Sequence, residues 1–205
     1  MPNRRQVLFM VGGAAALSGS GLATCQGARG CQRKRGPAYE AETASWLAVI
    51  RARGRDGMWM VSRGYHLGDD IIAVATNSPV SHASVLDHTG ERVIEALGKG
   101  VVRTPLETFL HESHRVLLLQ PHDWTAERGA AALARAEGAI GSGYDFLGIV
   151  GAPSSTHFYC SELALWSMGI AVDRPGPLNV MHPRDLDHYA DILFDSGDRD
   201  ADPDS

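Results

Sequence analysis

The chain has 205 residues, 44% of them hydrophobic and 21% charged, ordinary proportions for a single globular domain with a real core. Its formal net charge is -5, and several of its arginines and lysines lie before residue 37, so the remainder is more acidic still. No Lys/Arg stripe with interleaved aromatics is present, so nucleic acid is not an expected partner.

Met1 to Ala23 has a short basic start at Arg4 and Arg5, an apolar run from Val7 to Leu17, and then small residues. That is the three-part layout of an export signal, too short and too rich in glycine and serine for a membrane span. Asn3-Arg4-Arg5-Gln6-Val7-Leu8 resembles a twin-arginine signal, the alternative being an ordinary secretory signal. Leu22-Ala23-Thr24-Cys25 resembles a lipoprotein cleavage box, although threonine before the cysteine departs from the usual Gly, Ala or Ser. Two outcomes stay open: lipidation of Cys25, which would anchor the protein to a membrane, or cleavage after Ala23. A Cys25–Cys31 disulfide is a further option in an oxidising compartment. The expected organisation is an export signal over residues 1–24, a flexible basic tether over 25–38, one domain over 39–194, and a disordered acidic tail over 195–205. The expected location is the periplasm or cell envelope.

Within the domain, Glu40 to Arg53 reads as a helix with an apolar side formed by Ala44, Leu47, Ala48 and Ile50, ended near Gly54. Gly57 to Tyr65 is ambiguous. A small antiparallel sheet is expected next. Ile71 to Thr76 reads as a strand, broken by Asn77-Ser78-Pro79. His82 to Leu86 and Arg92 to Ala96 follow as a hairpin, Val101 and Val102 as a short strand, and Arg115 to Gln120 as a clear one. Asp123 to Ile140 is the best helix, with Asp123 as its N-cap and Ala126, Ala130, Leu133, Ala136 and Ile140 as its apolar stripe. The last helix starts near Cys160, after the irregular run Gly151 to Thr156, and stops near Gly169. The fold class is α+β.

Two features carry chemistry. Cys160 is the only cysteine beyond residue 31 and falls in the first turn of a helix, where the helix dipole favours thiolate. The hairpin supplies a base. A loop of two residues (His88-Thr89) or four (Asp87 to Gly90) sets Leu86 opposite Glu91, Ser84 opposite Val93 and His82 opposite Glu95, on one face. An odd loop would send the two side chains to opposite faces. Glu95 sits inside the apolar run Val93 to Leu97, where a lone charge is costly, so it wants a partner. Glu95 would orient His82, His82 would deprotonate Cys160, and the thiolate would attack a carbonyl carbon. His111-Glu112-Ser113-His114 lacks His-Glu-x-x-His spacing and reads as a solvated polar loop, and Gly141-Ser142-Gly143 as a helix stop. No metal and no cofactor are expected.

The ordered set GDDIIAVA, SHASVL, RVIEALGKGVVRTPLETFL, YDFLG and YCSEL, over about residues 64–190, resembles the YiiX/YebB-like branch of the NlpC/P60 superfamily. The resemblance implies a circularly permuted papain-like fold, with histidine ahead of cysteine in the chain. It implies catalytic roles for His82, Glu95 and Cys160, and for Tyr144 a place beside the oxyanion. Two departures stand out. Gly68-Asp69-Asp70-Ile71-Ile72 carries one aspartate more than the family's usual Gly-Asp-Ile-Ile, and the cysteine motif differs from the Asn-Cys-Glu of the related lecithin:retinol acyltransferase group. The implied function is a cysteine hydrolase acting on an amide, a cell-wall peptide first, or on a lipid amide or ester. A non-catalytic envelope module binding a peptide or acyl chain is the rival of a different class.

Overall fold

A computed structural model describes residues 36–65, 69, 73, 77–145, 157–171 and 181–199. The expected export signal, Cys25, Cys31 and the expected tether up to residue 35 lie outside the described residues, as does the run Gly151 to Thr156.

Helix α1 spans Pro37–Arg53, starting three residues earlier than expected because Pro37 suits the first turn of a helix. Its buried side is Tyr39, Thr43, Trp46, Leu47 and Ile50, spaced to fall on one face, and it ends where the Gly54 N–H donates to the Ile50 carbonyl at 2.7 Å. Strands β1 (Trp59–Gly64), β2 (His82–Asp87), β3 (Arg92–Leu97) and β4 (Gly100–Pro105) follow, then helix α2 (Leu106–His111) and strand β5 (Ser113–Pro121). Helix α3 (Ala126–Gly138), the short strands β6 (Gly143–Tyr144) and β7 (His157–Phe158), helix α4 (Cys160–Ser167), a 3-10 segment (Pro183–Tyr189) and strand β8 (Ala190–Asp195) complete the order.

Strands β4-β3-β2-β1-β5-β8 form one six-stranded sheet in which every described pairing is antiparallel. Successive side chains alternate between its faces. Trp59, Val61, Ala83, Val85 and Ile94 face α3 and α4. Met60, Leu86, Val93, Val116 and Leu118 face α1 and α2. The architecture is α+β, a small antiparallel sheet flanked by helices.

Several expectations need correction. The ambiguous stretch holds β1, which pairs with both β2 and β5; Met58 through Val61 are buried on both faces, so no alternation marks them as a strand. Ile71 to Thr76, read as a strand, lies largely outside the described residues, and its one described residue, Ala73, is helical. A short apolar run carries no period to separate the two. Helix α3 is capped by Thr125, whose hydroxyl accepts from the Arg128 N–H at 3.2 Å, rather than by Asp123. Its buried side is Gly129, Ala132 and Ala136, while Ala126 and Ala130 are exposed and Leu133 is partly buried.

The acidic tail does not begin at Asp195. That residue ends β8, which pairs with β5, and the described chain runs on to Arg199. Arg199 is buried between α1, α2 and β5. Its five N–H groups meet the carbonyls of Tyr39, Leu110 and Ser113, the Thr43 hydroxyl and the Glu42 carboxylate. The rings of Tyr39 and Trp46 lie 3.9 and 3.8 Å from its guanidinium carbon. His111 to His114 is no solvated loop either: it joins α2 to β5, and Ser113 is buried.

Candidate active site

The site lies where β2 and α4 begin. Cys160 is the first residue of α4, after Tyr159, whose backbone N–H is met by the Glu162 carboxylate at 3.4 Å. The thiol is buried in the core cluster shared with Ala83 and Leu163. His82 is the first residue of β2, opposite Ser62 on β1. Alternation turns Ala83 toward α4 and His82 toward the other face. Only at the end of the strand can one imidazole serve both sides. Its Nε2 lies 2.7 Å from Glu95 Oε2, which leaves Nδ1 for the hydrogen bond to Cys160.

The hairpin register differs from the expected one by two residues. Ser84, not His82, lies opposite Glu95, with Val85 opposite Ile94 and Asp87 opposite Arg92. The connecting loop is His88 to Glu91, because Asp87 stays in the strand and folds the turn onto itself. Its carboxylate accepts from the Gly90 N–H at 2.7 Å and from Arg92 Nε at 2.5 Å, and Glu91 takes a positive φ of 51°. An even slip preserves the face, so His82 and Glu95 meet along a diagonal instead of directly across.

Glu95 is only 5% exposed, and both its oxygens are engaged: Oε2 by His82, and Oε1 by the hydroxyl of Thr104 on β4. Burial pushes its carboxyl up, but the hydrogen bond and charge of His82, the Thr104 hydroxyl and the charge of Lys99 bring it below the ordinary value. Burial disfavours the His82 imidazolium as well. Hydrogen bonds to Cys160 and Glu95, and the negative charge on each, outweigh that and hold His82 well above an ordinary imidazole. At Cys160, burial raises the thiol, while His82 and the backbone N–H groups of Ala83 and Ser161 bring it below its usual value. Each direction favours the charged form of its group, thiolate at Cys160 and imidazolium at His82, beside an ionised Glu95.

Tyr144 sits on β6, paired in parallel with Phe158 of β7, two residues before Cys160, and packs against the cluster that holds the thiol. Burial first, then charge on Cys160, Tyr159 and Asp145, pushes its phenol well above the ordinary value, so it keeps its proton and remains a donor. As the first residue of α4, Cys160 also carries a backbone N–H without a partner inside its helix.

On the α1/α2 side, a cavity of about 240 Å³ is lined by His82 and Glu95 with Ser62, Thr104, Phe109 and Glu112. Sequence reasoning misses Thr104 and Ser62, and it gives Glu112 no place near the dyad. Thr104 could be found only by extending β4 past Val102, since it sits one diagonal from Glu95 once the strand runs to Pro105.

No family model matches the chain, and no curated protein sequence matches it. The crystal structure of the metalloprotein yiiX from Escherichia coli O157:H7 does, with a TM-score of 0.48, 21% identity, and coverage of 55% of this chain and 63% of that one. That protein is described as a metalloprotein. Among the described residues of the present chain, no group of three or more His, Cys, Asp or Glu side chains could hold a metal ion. His82 and both oxygens of Glu95 are already committed to one another, to Cys160 and to Thr104.

Proposed function

We propose that this protein is a papain-like cysteine hydrolase that cleaves an amide or ester through an acyl-enzyme on Cys160. The observation that carries the reading is the continuous contact from Glu95 through His82 to Cys160, with the cysteine at a helix start. In the first half-reaction His82 Nδ1 holds the thiol proton while the sulfur bonds to the substrate carbonyl carbon. The resulting oxyanion lies within reach of the Cys160 N–H and the Tyr144 phenol. Collapse breaks the bond to the leaving nitrogen or oxygen, which takes the proton from His82. A water molecule, deprotonated by the same imidazole, then displaces the thiolate and releases the acid. Glu95 keeps the imidazole in the tautomer this needs.

An exported enzyme meets cell-wall peptides, which makes a peptide amide the first substrate class, with a lipid amide or ester second. Export through the signal at residues 1–24, and lipid anchoring at Cys25, belong to the same proposal. No helix among the described residues is long and apolar enough to cross a membrane.

The test is the pH dependence of iodoacetamide labelling, followed at Cys160 by peptide mapping because the sequence holds two further cysteines, Cys25 and Cys31. Fast labelling at neutral and mildly acidic pH in the wild type, lost in His82→Ala, is expected. Equal, slow labelling in both, rising only near an ordinary thiol pKa of about 8.5, would leave a binding module as the better description.

A further inference from the structure

We infer that Thr104 is a positioning residue of this site, holding the Glu95 carboxylate in the orientation that makes His82 a base. The inference rests on the hydrolase reading above and extends it by a fourth residue, carried on a fourth structural element.

Three adjacent strands contribute one side chain each. Glu95 lies opposite Val102 in the β3–β4 pair and Thr104 opposite Val93, so Thr104 is displaced by one diagonal from Glu95. His82 is displaced by one diagonal on the other side. The result is a line, Thr104 hydroxyl to Glu95 Oε1, then Glu95 Oε2 to His82 Nε2. A carboxylate gripped at one oxygen can pivot about that contact. Gripped at both, its plane is fixed, and with it the direction of the imidazole. Threonine suits the role because its branched Cβ restricts χ1, so the hydroxyl is aimed by the backbone. Thr104 also lines the cavity. Without its hydroxyl, Glu95 Oε1 would lose this hydrogen-bond donor. A hydroxyl donor also stabilises the anion, so losing it lets Glu95 take up a proton at higher pH, and His82 and Cys160 then lose their support at higher pH too.

The experiment compares full-length wild type, Thr104→Val and Thr104→Ser in the Cys160 labelling assay across pH. Thr104→Val keeps the branched shape and replaces the hydroxyl with a methyl group. Its labelling midpoint is expected to move up by about half a pH unit or more, roughly a threefold loss of thiolate on the acid limb, while Thr104→Ser restores the wild-type midpoint. Should the valine variant not fold, Thr104→Ala removes the same hydroxyl and is read against the same serine control. A midpoint unchanged in the hydroxyl-free variant would overturn the role of Thr104 while leaving the thiolate pair intact. A serine variant shifted as far as valine would overturn it as well, because restoring the hydroxyl would then restore nothing. Wild-type labelling that is slow and insensitive to His82→Ala would instead remove the hydrolase reading itself, and the inference with it.

Discussion

Arg199→Met is the sharpest test of how the site's surroundings are held. The substitution keeps an apolar stem between Tyr39 and Trp46 and deletes the guanidinium. Its cost is less than five lost hydrogen bonds, because several acceptors keep another partner. The Tyr39 carbonyl still accepts from the Thr43 hydroxyl, at 2.9 Å, and the Leu110 carbonyl from the Glu112 N–H. The Glu42 carboxylate, whose side chain is 34% exposed, can return to water. The clear losses are the Arg199 donor to the Ser113 carbonyl, the ion pair, and the two ring contacts. A stranded buried acceptor costs about 1–3 kcal/mol. A desolvated cation–π contact is worth up to about 2 kcal/mol. A total of about 4 kcal/mol follows from the stranded acceptor and the ring contacts. For a domain of this size that lowers the melting temperature by roughly 8–16 °C. Thermal unfolding followed by circular dichroism at pH 7 measures it. A variant melting within about 2 °C of wild type would refute the reasoning and restore the disordered tail expected from composition.

Two further outcomes follow from the site. Glu95 is held below its ordinary value of 4.5, so its ionised form stabilises the fold above that value, and the contribution is lost as pH falls through the lowered one. His82 is raised, so its share is complete below its ordinary value of 6.5 and is lost as pH rises through the higher one. The melting difference between wild type and Glu95→Gln is therefore expected to be largest between these limits and to close on both sides. A difference constant from about pH 3 to 9 would contradict the coupling. Tyr144→Phe, in contrast, should leave Cys160 labelling at pH 7 within about twofold and cut turnover of a cleavable substrate roughly a hundredfold. Unchanged turnover would remove Tyr144 from the oxyanion site.

Much of this arrangement is legible in the order of residues, for identifiable reasons. Helix α1, the hairpin strands, β5 and the start of α4 each announce themselves by periodicity or by a change in it. Strand β1 does not, because a central strand covered on both faces reads as a plain apolar run from Met58 to Val61. Strand β8 is an edge strand with Ile192 half exposed, and its apolar run Ile192-Leu193-Phe194 is too short to show a period. Arg199 is the extreme case. Nothing in an acidic terminal segment marks one arginine as buried, since its partners come from α1, α2 and β5, far away in the chain.

The hairpin shows where sequence reasoning of this kind stops. Parity fixes which face a strand residue occupies, and the shared face of His82 and Glu95 survives a register displaced by two. Parity does not choose between a directly opposed neighbour and a diagonal one, because long side chains reach both. Burial completes the choice. A carboxylate inside Val93 to Leu97 must be satisfied by what the neighbouring strands offer within one diagonal: His82, Ser84 and Leu86 on β2, and Gly100, Val102 and Thr104 on β4. The Ser84 hydroxyl donates to the Met60 carbonyl at 3.3 Å, and Leu86, Gly100 and Val102 have no polar side chain to give. His82 and Thr104 remain, one for each oxygen of Glu95. A buried acid on a central strand therefore names its own partners once the register is known, and here those partners run from the edge strand β4 toward the cysteine.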